Sequence, residues 1–119
     1  RFFDLNVHTH MQKIVGDRIR PEGSKDPFGV AEAQERLGTA YGVLADEAAR
    51  RRAWFSGDGS EFGLADCAAA PALFYADKVR PFGPDQAPVR AYLDRLMARP
   101  SVARAVSEAE PYFAMFPQA

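Results

Sequence analysis

Phe62-Gly63-Leu64-Ala65-Asp66-Cys67-Ala68-Ala69-Ala70-Pro71-Ala72-Leu73 is the stretch on which the fold turns. With the N-cap placed at Gly63, Asp66 becomes the third helical residue, whose carboxylate reaches back to the backbone N–H of Gly63. Phe62 and Cys67 then occupy the two positions of a hydrophobic staple. Downstream, Leu64, Cys67, Ala68, Pro71, Ala72, Tyr75 and Val79 share one face, and Leu73 and Phe74 widen it. A helix apolar on most sides is a buried one, so the spacing predicts a central helix over 64–79. Pro71 lies well inside it. Its missing N–H costs up to ~3 kcal/mol, so either packing offsets the strain or a new helical piece starts there.

Upstream, Asp26 and Pro27 form a helix start, a capping side chain followed by a residue that needs no N–H donor. Val30, Ala33, Leu37, Ala40, Tyr41, Leu44 and Ala48 follow at helical spacing. Gly38 and Gly42 lie four apart on one face, and close packing of another helix is expected there. Arg50-Arg51-Arg52 suits the negative end of the helix dipole. Trp54-Phe55-Ser56-Gly57-Asp58-Gly59-Ser60 reads as a turn. No Gly-Lys-Ser/Thr follows to make a phosphate-binding loop, and no glycine sits two residues before Ser56 to make a nucleophile elbow.

At the start of the chain, Phe3, Val7, Met11, Ile14 and Val15 form a helical stripe, flanked by Phe2 and Leu5. No capping residue precedes it, so the helix is expected to be truncated at Arg1 and the chain to be a piece of something longer. Pro21-Glu22-Gly23-Ser24-Lys25 is a loop. Beyond the central helix, Pro81-Phe82-Gly83-Pro84 is a turn. Asp85 is expected to cap a fourth helix carrying Val89, Tyr92, Leu93, Leu96 and Met97, and Ser101 a fifth carrying Val102, Ala105, Val106 and Ala109. The tail from Pro111 to Pro117 is apolar but bounded by prolines, and is expected to lie back over the bundle.

Composition agrees. Among 119 residues alanine occurs 21 times, while Val, Ile and Thr together occur 12 times. Alanine is the best helix former and β-branched residues favour sheets, so the fold class is all-α. At this length one core buries roughly two-thirds of the unfolded surface, so residues 1–119 form one domain. The 47% apolar and 26% charged fractions exclude a disordered chain, and no apolar run approaches a membrane span. A net charge of −1 lacks the clustered positive excess that a nucleic acid or an anionic membrane surface requires. The single cysteine excludes an intrachain disulfide and suits a reducing, cytoplasmic compartment.

Taken in order, these segments resemble the C-terminal helical domain of the glutathione transferase superfamily. The stretch from Phe62 to Leu73 is similar to the capping box and staple that open that family's central helix. Trp54-Phe55-Ser56-Gly57-Asp58 is similar to its aromatic-x-Gly-Asp lead-in. Tyr92-Leu93-Asp94-Arg95-Leu96-Met97-Ala98-Arg99-Pro100-Ser101-Val102 resembles its next helix pair, and Met11-Gln12-Lys13-Ile14-Val15 the first helix of bacterial members. The resemblance spans essentially the whole chain. Gly63 departs from it, standing where the family usually has a hydroxyl. The family's N-terminal thioredoxin-like domain, which holds most of the glutathione site and the activating Tyr, Ser or Cys, is not among these 119 residues.

The resemblance implies an orthogonal bundle of five or more helices. Its role would be the hydrophobic wall of the electrophile site, with His8, Met11, Gln12 and Val15 as candidate substrate-binding residues, and contacts in a homo-oligomer. Glutathione would be a co-substrate of the full-length protein, with no cofactor held by this chain alone and a small hydrophobic electrophile as ligand. A non-catalytic helical module for protein association is the alternative. The residues themselves offer little chemistry. His8 and His10 point about 200° apart on a helix and cannot share a metal. Cys67 at the staple position beside Asp66 is expected to be buried and structural, since burial and a neighbouring carboxylate both oppose the thiolate. Asp66 is a capping group without a partner carboxylate, and Tyr41, Tyr75 and Tyr112 lie on apolar stripes. No catalytic residue and no metal ligand is expected, and the chain by itself is expected to be inactive.

Overall fold

The computed structural model describes residues 1–119. Helix α1 (Thr9–Arg18) continues from a π-helical opening, Phe3–His8. Helices α2 (Pro27–Arg50), α3 (Leu64–Val79), α4 (Ala87–Ala98) and α5 (Pro100–Ala109) follow. Short 3₁₀ turns lie at Glu22–Ser24 and Pro84–Gln86, and a last one, Glu110–Met115, forms the tail. There is no strand, and no helix is long and apolar enough to cross a membrane. The π-helical opening suits its stripe, since Phe3, Val7 and Met11 recur every four residues and all three are buried.

α2 starts as its residues dictate. Asp26 Oδ1 accepts the N–H of Gly29 at 2.9 Å, and Pro27 is the first helical residue. Its stripe buries Ala33, Leu37, Ala40, Tyr41, Leu44 and Ala45 against α1 and α4. α3 packs on the π-helical opening, α1 and α4. Two helix starts differ from expectation. Asp85 caps nothing; it sits in the 3₁₀ turn, where Gln86 Oε1 accepts the N–H of Gly83 at 2.8 Å. Ser101 lies inside α5, which begins one residue earlier at Pro100. The 3₁₀ turn runs straight into α4, so Asp85 already lies within helical backbone, while the extended residue that precedes α5 is Arg99, whose side chain makes no cap bond.

Gly38 and Gly42 do not mark a helix–helix contact. The guanidinium of Arg80 lies across α2 at Gly38, where an added Cβ would come within 2.8 Å of Nη2, while Gly42 faces open space. Arg80 Nη1 donates to the carbonyl of Gln34 at 3.1 Å, and its own carbonyl accepts from Tyr41 at 2.9 Å. The small residue admits a side chain from the end of α3, so one glycine of the pair is used and the other is not.

The buried face of α3 also differs from the expected one. Asp66, Ala69, Ala70, Ala72, Leu73, Ala76 and Val79 turn inward, whereas Leu64, Cys67 and Pro71 are exposed. At 100° per residue the exposed set lies roughly opposite Ala69, Leu73 and Ala76. Cys67 is therefore a surface thiol and not a buried structural one. Phe62 packs on the Trp54 ring, centroids 5.3 Å apart, and under the Arg99 guanidinium at 3.8 Å. α3 runs unbroken through Pro71, so no new helical piece starts there.

Candidate functional site

Asp66 is the most heavily bonded side chain in the molecule. Its Oδ2 accepts the N–H of Gly63 at 3.0 Å and that of Ser56 at 3.3 Å. Oδ1 accepts the N–H of Phe55 at 2.8 Å and the hydroxyl of Tyr92 at 2.6 Å. Asp66 is fully buried and forms no ion pair. Burial pushes its carboxyl up, but the bonds from Phe55, Tyr92, Ser56 and Gly63 outweigh that and hold it below the ordinary value of 3.8. Burial and the carboxylate together push the Tyr92 hydroxyl far up, so it stays a donor. With every acceptor position spent on structure, Asp66 has nothing left for a substrate.

The space for a ligand lies on the other side of α3. A cleft of about 420 Å³ opens between α1, α3 and the tail. His8, Met11, Gln12 and Val15 all line it, successive turns of one face running from the end of the π-helical opening into α1. Met11 and Val15 are largely buried and show only their edges, whereas His8 and Gln12 are exposed at the rim. The tail closes the opposite side. Arg18 Nη1 donates to the carbonyl of Pro117 at 3.0 Å, and Phe116 stacks on Tyr75 with centroids 5.3 Å apart. None of the lining residues is Lys, Arg, Asp or Glu. Met11 and Met115 add flexible, polarizable surface.

A second apolar cleft of about 340 Å³ lies between α3 and α5. It shares Pro71, Tyr75, Ala109 and Phe113 with the first, and Cys67 opens onto it. The two clefts make the outward face of α3 one nearly continuous apolar trough. Tyr112, Phe113, Met115 and Phe116 of the tail are site residues that spacing arguments missed. Their signal was the apolar content of the segment from Pro111 to Pro117, which periodicity cannot place on a neighbour.

Elsewhere the chemistry is sparse. No three His, Cys, Asp or Glu residues converge to hold a metal ion. His8 borders the cleft, whereas His10 lies in a shallow groove between the π-helical opening, α1 and α2 with Arg36 and Thr39. Burial, then the Arg36 charge, lower the pKa of His10 and favour its neutral form.

Compared with known families, residues 27–110 match the family described as "Glutathione S-transferase, C-terminal domain". The match runs from the start of α2 to the end of α5, well over half of the chain. No curated protein and no solved structure gives a significant match.

Proposed function

Since the chain belongs to the glutathione S-transferase C-terminal-domain family, we propose that it forms the electrophile-binding wall of a glutathione transferase. In this reading a thioredoxin-like domain, which these 119 residues do not contain, binds glutathione and activates its sulfur. The helical chain supplies the apolar surface that holds the second substrate beside it. The observation that carries the reading is the cleft between α1, α3 and the tail, with His8, Met11, Gln12 and Val15 on one wall and no charged side chain in its lining. Such a surface favours a small, uncharged, apolar molecule, because a charge would leave water without finding a partner.

Conjugation requires a positioned thiolate beside the electrophile. Asp66 is fully committed to structure, and Cys67 lies outside the cleft that His8 and Met11 line. The chain alone is therefore expected to bind without turning over. Self-association through the outer face of the π-helical opening and α2, where Leu5 and Val43 are exposed, belongs to the same reading, and sedimentation at rising concentration tests it.

Titration of the nitrogen-labelled chain with chloronitrobenzene, followed by NMR, tests the binding claim. The amides of Gln12, Val15, Tyr75 and Phe116 should shift, and Met11→Ala should weaken the effect. Glutathione alone should shift none of them. Shifts confined to residues outside the cleft, or conjugation of glutathione by the chain alone, would overturn the reading.

A further inference from the structure

The N-terminus of α3 is bonded to a side chain outside the helix. Its N-cap residue, Gly63, has no oxygen to offer, and the N–H of Ala65, second in the helix, donates to Ser56 Oγ at 3.1 Å. An N-cap hydroxyl bonds this same donor in an ordinary helix. Here it arrives from a loop nine residues upstream. The loop is held in return, because the N–H groups of Phe55 and Ser56 end on Asp66.

Gly63 explains the arrangement from the other side. Its backbone is extended, with φ −149° and ψ −162°, a conformation open to any residue, so freedom of backbone is not why glycine stands there. A Cβ built on Gly63 would lie 2.6 Å from both Cβ and Oγ of Ser56. That is far inside van der Waals contact. The serine fills the space that a side chain at position 63 would need.

We propose that Ser56 is the positioning residue that caps α3 from the preceding loop, and that Gly63 is bare because the Ser56 side chain occupies its place. A cap built from neighbouring residues lets a helix start on its own. A divided cap does not, so the first turn of α3 and the loop order as one unit. The loop comes shaped for this. Gly57 and Gly59 hold positive φ angles of 53° and 87°, the N–H of Gly59 donates to the carbonyl of Ser56 at 2.9 Å, and that of Trp54 to the carbonyl of Gly59 at 3.1 Å. Arg95 Nη1 pins the carbonyl of Ala53 at 2.8 Å, and Arg51 Nη1 that of Phe55 at 3.0 Å. The strap thereby fixes the end of α3 from which Cys67 and Pro71 line the trough.

Amide exchange and thermal unfolding of four variants of the 119-residue chain test this. Ser56→Ala removes only the hydroxyl and should speed exchange at Ala65 roughly fivefold or more, the loss of one cap, whereas Ser56→Thr should keep exchange at the wild-type rate. Gly63→Ser should lower the melting temperature. Combining Ser56→Gly with Gly63→Ser removes the overlap and returns a hydroxyl to the helix's own N-cap. The double variant should then melt above Gly63→Ser and restore slow exchange at Ala65. Unchanged exchange at Ala65 in Ser56→Ala, or a double variant no more stable than Gly63→Ser, would overturn the proposal.

Discussion

Replacing Asp66 by alanine should cost about 3–5 kcal/mol, well above the loss of a helix cap. A carboxylate that only capped its own helix would be worth about 0.5–2 kcal/mol. Here four donors lose their acceptor together: the N–H groups of Phe55, Ser56 and Gly63 and the hydroxyl of Tyr92. A buried donor left without a partner costs about 1–3 kcal/mol, which would sum to about 4–12 kcal/mol over four. The three backbone donors are only part-buried, and water entering the vacated space can reach them, so the low end applies. For a chain of this length, unfolding entropy makes 1 kcal/mol equivalent to roughly 4 °C, and the melting temperature should fall by roughly 12–20 °C. Thermal and urea unfolding followed by circular dichroism at neutral pH measures it. A cooperative transition weakened by less than about 2 kcal/mol, the ceiling for a cap, would refute the reasoning. The same site fixes an acid limb. The native carboxyl sits below its ordinary value, so its contribution is complete above the unfolded pKa and fades as pH falls through the native one. Asp66→Asn should therefore be weaker than wild type at neutral pH, and the gap should close below about pH 4. A gap that stays constant down to acid would contradict this.

Three further outcomes follow from the packing. Tyr92→Phe removes the 2.6 Å bond to Asp66 and should cost about 1.5–3 kcal/mol, the range for a bond to a charged group; urea unfolding would expose an idle bond as a change near zero. Gly42→Ala faces open space and should stabilise α2 by about 1 kcal/mol. Gly38→Ala should gain less, because its Cβ displaces the Arg80 guanidinium from Gln34, and equal gains would sink that assignment. The exposed Cys67 thiol should react with N-ethylmaleimide in the folded chain; reaction only on unfolding would show the thiol to be buried.

What the sequence determined by itself lies within about one helical turn. Asp26-Pro27 starts α2, and the Asp66 bond back to Gly63 marks where α3 begins, because in each case the bonded atoms sit three residues apart; the other half of the α3 cap comes from Ser56 in the loop. Helical periodicity and the excess of alanine settled the all-α class for the same reason. Tertiary structure decided the rest. α3 is apolar nearly all round, so its pattern could not say which face turns inward, and contacts with α1 and α4 chose the one that leaves Cys67 outside. Gly38 met an arginine from the end of α3 instead of a helix, since spacing reports room and not its occupant. The cleft needed the tail to return to α1, 99 residues away at the Arg18–Pro117 bond. Ser56 and Ala65, like Asp66 and Tyr92, meet only after the loop and α4 have docked on α3. Contacts of that range depend on how the helices stack, and no local pattern of residue types encodes them.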